Sequence, residues 1–495
     1  MRSFDHNFFR MFLFPFLLLV LLSCSGDPAE KRAKHMKRGD EYAEKQEFKK
    51  AIIEYKNAIQ AEPKFARAHY QLALAYLRTG QPKQAFGELY RTVDLDPENL
   101  DAQLKLGQFY LLGKKTNEAG ERAALVLKKE PENIDGLFLQ MGVLLQEGKS
   151  EEATEVLKKV TSIDKKNIKA YISLARIAGS QRRFTEAKEY LTKGVEADPD
   201  DPLPRLQLAY FYEGRGDFEE AERELKEAVS KNQDSIALLG QLGSFYVRRG
   251  DLKAAESVYL DMAERAPKSI APKTTLGSFY AAQRKWDQAL QWMQEAQKLH
   301  PENVEIRNVI AALYMDMGKP EETQKLVDKV LEKDRENVRA RLMKARLLLR
   351  DRRAGEAVEI LESVVKDDPR HAGAYYYLGL GYLAKAERTK AKGALIKAVE
   401  YSPNNLRART LLSEIYLAER DVDLAMEQLK VVLGREPGNY RAHVLKGNAH
   451  ILKQDAEKAR QAYLKAIELN PDDPAAYYRL ATLDRLQRRF DDAMA

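Results

Sequence analysis

Five arginines in the second half of the chain are spaced to act together. Arg339, Arg346 and Arg350 stand seven and four residues apart, which lays all three on one face of a helix. Arg407 and Arg441 stand further along the chain, 34 residues apart. A guanidinium presents a planar fork of N–H donors that grips carboxylates and phosphates in pairs. A row of them suits an acidic peptide or an anionic glycan. The alternative is a solvated charged face of the kind many helices carry. Binding of acidic ligands that survives Arg346→Ala with Arg350→Ala unchanged counts against the first reading. Other chemistry is poorly provided for. Cys24 is the single cysteine, so neither an internal disulfide nor a Cys-x-x-Cys metal site can form. None of the seven histidines pairs with another at i, i+4 around a glutamate, and metal binding is not expected. No glycine-rich phosphate loop and no Gly-x-Ser-x-Gly elbow occurs. Acidic doublets such as Glu151-Glu152, Glu219-Glu220 and Asp472-Asp473 recur near expected helix starts, where they complement the helix dipole. The chain reads as a binding protein without cofactor, not as an enzyme.

Composition agrees. Of 495 residues, 44% are hydrophobic and 32% charged, too apolar for a disordered chain and too charged for a membrane bundle. The net charge of +7 is spread thinly, unlike the concentrated patch of a nucleic-acid binder.

The first 23 residues stand apart. Arg2 and Arg10 precede an unbroken apolar run from Met11 to Leu22. Twelve residues rise about 18 Å as a helix, short of the roughly 30 Å of a hydrocarbon core. Such a run fits the hydrophobic region of a signal peptide. Leu21-Leu22-Ser23-Cys24 resembles the lipobox of bacterial lipoproteins. The resemblance implies cleavage before Cys24, lipid attached at Cys24, and a membrane anchor. With Ser25 next, it implies sorting to the outer membrane, facing the periplasm. Residues 24–31 then form a lipidated tether, its seven residues after Cys24 reaching at most about 25 Å.

From residue 32 one period governs the chain. Prolines at 63, 97, 131, 199, 267, 301, 369, 403, 437 and 471 are separated by 34 residues or a multiple of it. Alanine holds a second register from Ala51 through Ala493, and Thr323 is its one exception. With residue 32 as position 1, position 8 is small throughout except at Met141, position 7 is usually Leu and position 11 usually Tyr. Positions 7, 8 and 11 make one apolar stripe. Small residues at 8 and 20 let two helices approach closely, and Pro at 32 ends the second helix. In the clusters Tyr375-Tyr376-Tyr377 and Tyr477-Tyr478, at most one ring each is expected to be open to a ligand.

These registers resemble the tetratricopeptide repeat (TPR). The resemblance implies an all-α fold, a right-handed superhelical α-solenoid of 34-residue helix pairs. Thirteen complete repeats run over 32–473, with an incomplete fourteenth over 474–495. Helix A of each repeat is then expected to line a concave groove through positions 2, 5, 9, 12 and 13. Arg339, Arg346 and Arg350 take positions 2, 9 and 13 of repeat ten, and Arg407 and Arg441 take position 2 of repeats twelve and thirteen. Asp101 and Asp135 take position 2 in early repeats, so the groove is expected to turn from acidic to basic along the chain. Position 5 is never Lys, which departs from members that clamp a C-terminal carboxylate. A lipobox followed by a long TPR array resembles the TPR-repeat lipoproteins of the PEP-CTERM/exosortase system. That resemblance implies a scaffold for protein partners in exopolysaccharide- or exosortase-linked surface assembly. Two alternatives stand: an organiser of a polysaccharide-export pore, or the TPR arm of a larger glycosyltransferase-type enzyme. The unbroken phase leaves no room for an inserted catalytic domain. The array stops inside helix B of repeat fourteen, so the expectation is a fragment, an early-ended product or a frayed last repeat.

Overall fold

The computed structural model describes residues 27–487. Cys24 and the signal segment, like residues 488–495 of the fourteenth repeat, lie outside the described residues. The described residues form 27 α-helices and no strand, arranged as consecutive antiparallel pairs. From Ala66 onward helix A begins every 34 residues, and helix B does so from Phe48. The phase read from proline and alanine is thus the phase of the backbone.

One boundary differs. Helix A of repeat one runs Pro28–Glu44, so the expected tether at 24–31 is helical from Pro28. The Asp27 carboxylate accepts from the Ala29 amide, Pro28 takes the first turn and Glu30 follows. This is a helix start in which a missing N–H costs nothing and an acid meets the dipole.

The helices fall into two compact units, divided between Gly250 and Asp251, and both are built by the same rules. Within each unit, each helix packs on its neighbours in sequence. Within a unit some consecutive A helices also touch, as Leu100–Leu112 does Ile134–Gln146 and Leu406–Ala418 does Tyr440–Leu452. The apolar cores are local. One spans repeats four and five through Leu137, Leu157 and Leu174, and another spans repeats ten to twelve through Ala345, Leu378 and Leu412.

In most repeats a small position 8 faces a large position 24, while Gly107 instead faces Leu139 of the next repeat. A Cβ on Gly39 would stand 2.5 Å from Tyr55 Cε1, and one on Gly277 would stand 2.7 Å from Met293 Cε. Repeats one and thirteen place Tyr55 and Tyr463 at position 24 and have Gly39 and Gly447 at position 8, whereas Leu89 packs in one cluster with Ala73. Thr323, the departure from alanine at position 20, is fully buried and donates to the carbonyls of Lys319 and Ala311 at 2.9 and 3.3 Å. Its extra polar atom is thereby satisfied across the helix pair. Ser413 at position 8 does the converse, donating to Arg409 at 2.8 Å and reaching the Ala425 carbonyl at 3.5 Å.

Three further registers hold the turns. Position 34 caps the following helix A: Asn99, Asn133, Asn167, Asn303, Asn337, Asn405 and Asn439 accept from the amide three residues on. Ser235 and His371 do the same, while Asp201, Ser269 and Asp473 accept from the amide two residues on. Position 15, between helices A and B, is left-handed in all thirteen complete repeats. Gly80, Gly148, Gly216, Gly250 and Gly318 supply it five times, and eight other residues, Arg352 (φ 62°) and Ala386 (φ 61°) among them, adopt it against their steric preference. In six repeats position 4 holds a polar side chain that ties the preceding turn. His69, Gln103, Lys273, Arg307, Arg409 and His443 each donate to the carbonyl of the proline six residues earlier, at 2.6–3.0 Å.

Candidate functional site

The A helices of repeats ten to thirteen carry the five arginines, and the structure divides them. Arg339, on Val338–Arg350, is exposed and donates from Nη1 to Glu305 Oε2 at 2.6 Å, one repeat earlier. Arg350 folds back on its neighbour, with Nε and Nη2 at 3.0 and 2.9 Å from Asp351 Oδ1. Arg346 is half-buried, 4.0 Å from Asp316, and its guanidinium lies over the Tyr377 ring at 5.4 Å from the centroid. Arg346 and Arg350 border a recess of about 200 Å³ walled by Met315, Pro320 and Leu347. Arg407 and Arg441 border a larger groove of about 500 Å³, floored by Tyr376, Leu380, Leu406 and Leu411. Arg441 is held in both prongs by Glu414, Nε to Oε1 at 2.5 Å and Nη2 to Oε2 at 2.8 Å.

A tyrosine pair joins the two groups. Tyr376 and Tyr377 meet edge to face with centroids 5.1 Å apart. Burial pushes the Tyr376 hydroxyl above its ordinary pKa, against the opposing charges of Arg407, Arg441 and Arg346. Arg346 over Tyr377, and Arg407 and Arg441 along the groove beside Tyr376, thus flank one pair of rings. Arg339 and Arg350 are turned to other partners. The expectation that only one ring of the cluster would be open is corrected: Tyr375 is buried, while Tyr376 and Tyr377 are both half-exposed. Consecutive helix residues step by about 100°, so one ring entering the core leaves the next two on the A-helix face. Tyr477 and Tyr478 are both exposed, at 44% and 75%.

The first unit repeats the register with other charges. Tyr70 sits at position 5 and Asp101 at position 2 of the next repeat, and burial together with that carboxylate pushes the Tyr70 hydroxyl up to about 12. Phe138 and Lys169 hold the same two positions, with the ammonium 4.0 Å from the ring centroid. A ring at position 5 close to a charge at position 2 of the following repeat thus recurs along this face. The spacing of the arginines shows in the sequence; the rings between them show only once the A helices are laid side by side. Among the described residues no group of three or more His, Cys, Asp or Glu side chains is placed to hold a metal ion.

Family comparison agrees with this geometry. Models described as TPR repeat match residues 39–80 and 447–483, and models described as tetratricopeptide repeat match segments over 144–278 and 280–386 and over 376–440. The chain belongs to the TPR superfamily. No curated protein matches its sequence. Similar solved structures include the APC/C hetero-tetramer Cut9-Hcn1, at 13% identity over 95% of this chain and 99% of that one, with a TM-score of 0.43. A TPR protein of Parabacteroides merdae is 17% identical over 53% of this chain and 100% of its own, with a TM-score of 0.39. Pseudomonas aeruginosa pilF is 19% identical over 45% of this chain and 100% of its own, with a TM-score of 0.35. The TPR array is a protein-interaction scaffold, its A helices offering one continuous set of positions within each unit.

Proposed function

We propose that this TPR chain is a lipid-anchored scaffold that holds protein partners of the bacterial envelope, and that its cationic face selects acidic segments. The observation that carries the reading is the placing of Arg346 over Tyr377 and of Arg407 and Arg441 in the groove that Tyr376 lines. Cations beside aromatic rings, over an apolar floor, form charge-assisted hydrogen bonds to a carboxylate while its apolar neighbours are buried. The anchor rests on Cys24 at the end of the apolar run. No helix among the described residues is long and apolar enough to cross a membrane. With the lipobox-like segment ahead of a long array, the setting that fits is outer-membrane attachment facing the periplasm, in exosortase- or exopolysaccharide-linked assembly.

Crosslinking and pull-down from the envelope with the native lipoprotein tests the scaffold: partners are expected above background, and recovery of none counts heavily against it. Labelled palmitate tests the anchor, with incorporation expected in the full chain and lost in Cys24→Ala. Equal incorporation by both would remove the lipid from the proposal.

A further inference from the structure

Four of the five cations at position 2 of this array are satisfied from within, and the molecule shows how. Arg67 meets Asp40 at 3.0 Å and Arg441 meets Glu414. Both acids sit at position 9 of the preceding repeat. Arg339, which finds Ala312 there, reaches Glu305 instead. Lys169, which finds Gly142, lies on the Phe138 ring. Arg407 is the fifth such cation. Position 9 before it is Leu380 and position 2 before it is Gly373. Arg407 is exposed and forms no ion pair or ring contact among the described residues. The place where Asp40 and Glu414 present a carboxylate is here a wall of the groove, lined by Leu380, Leu406 and Leu411 beside the Tyr376 ring. Several other polar groups of the groove are already engaged, Arg441 by Glu414 among them. Asn439 caps the next helix and donates to Glu436 at 2.7 Å, and Thr410 donates to the Leu406 carbonyl.

We infer that Arg407 is the anchor of a subsite for a side-chain carboxylate of a partner segment, which completes from outside the clasp that Glu414 completes for Arg441. The apolar floor takes the residues flanking that acid. The inference rests on the scaffold reading and narrows it from a basic face to one unpaired guanidinium. The occupant is a peptide and not a uronic-acid glycan because the groove pairs its single free cation with leucine side chains. A polyuronate brings a charge on every ring and little that is apolar.

The test is fluorescence anisotropy on the full chain at low salt. The probes are a fluorescein-labelled, C-amidated peptide alternating leucine and glutamate, its glutamine counterpart, and an unlabelled oligogalacturonate as competitor. The acidic peptide is expected to bind at least about tenfold more tightly than the glutamine one, the scale of a charge-assisted hydrogen bond. Arg407→Ala should weaken it about tenfold. Leu380→Glu should do the same by supplying the carboxylate internally, and Leu380→Gln should keep most of the affinity. Arg370→Ala, which removes a positive charge from the loop before repeat eleven, should change it less than about twofold. Circular dichroism confirms that each variant keeps its helices. Unchanged binding in Arg407→Ala overturns the anchor. If Arg346→Ala with Arg350→Ala then abolishes binding, the broader acidic face survives without it. If neither set matters, or the wild type binds no acidic peptide, both readings fall. Stronger Arg407-dependent competition by the oligogalacturonate than by unlabelled peptide overturns the peptide as occupant.

Discussion

His69 shows how much of a side chain's work its neighbours decide. In the sequence it is a histidine without a metal partner. In the fold its Nε2–H donates to the Pro63 carbonyl, and Nδ1 stands 2.6 Å from Glu88 Oε2. A carbonyl only accepts, so the neutral ring would turn a lone pair toward a carboxylate, and the protonated ring is favoured. Burial works against the charge, but the bonds to Glu88 and Pro63 outweigh it, and the pKa is raised. A raised folded pKa means stabilisation that is complete below the unfolded value of about 6.5 and is lost as pH rises through the folded one. The urea-midpoint gap between wild type and His69→Gln is therefore expected to be widest near about pH 5.5 and to shrink by about pH 8.5. A gap independent of pH would mean that the ring is held neutral. His450 has the opposite sign. It is buried at position 11, where tyrosine is usual, and burial with Lys446, Lys458 and Lys453 lowers its pKa against Asp455. Its contribution is complete above the unfolded pKa and falls away below it. Position 15 gives a second residue-scale prediction. Ala386→Gly relieves a left-handed alanine and should raise stability by about 0.5–1 kcal/mol, read as a shift in urea midpoint at constant slope.

At the scale of the helix, what repeats without interruption was legible and what depends on three-dimensional pairing was not. Positions 8 and 20 could be read because small residues recur there, and their burial follows. Ala221 has no exposed surface, so Ala221→Leu is expected to cost about 1–3 kcal/mol in chemical denaturation through overpacking. Position 34 carried its signal openly in Asn, Asp and Ser, yet a cap is recognised only when the next helix start is fixed to the residue. Asn303→Ala should lower stability by about 1 kcal/mol by removing the acceptor for the Ile306 amide. The early start of helix A in repeat one had the same cause: Asp27-Pro28 is a start signal, but it lies ahead of the first periodic residue. Tyr376 and Tyr377 were hidden in a run of three rings, since only the stacking of neighbouring A helices shows which of them the core takes. Leu380 gave no sign at all. Its meaning lies in the carboxylate that other repeats put in its place.

For the whole chain, local cores imply that stability is close to a sum over neighbouring pairs. Excising residues 270–303 joins one repeat end to another repeat start in phase. The shortened chain is expected to keep its ellipticity per residue, with a modest loss of midpoint. Excising 270–286 removes about half a repeat, breaks the phase, and should cost helicity across the neighbouring repeats. Equal behaviour of the two deletions in circular dichroism would refute the nearest-neighbour account.

The constant spacing of helix starts also bears on inheritance. Because every complete repeat begins and ends at the same point of the fold, unequal crossing-over between any two of them would add or remove whole helix pairs and leave the reading frame and the packing intact. Array length can then drift at little structural cost. What recombination would scramble are the features that two adjoining repeats share, and the gap between Leu380 and Arg407 is one of these. A lineage that uses this groove would have to keep repeats eleven and twelve together, so the order of its repeats, more than their number, would carry its specificity.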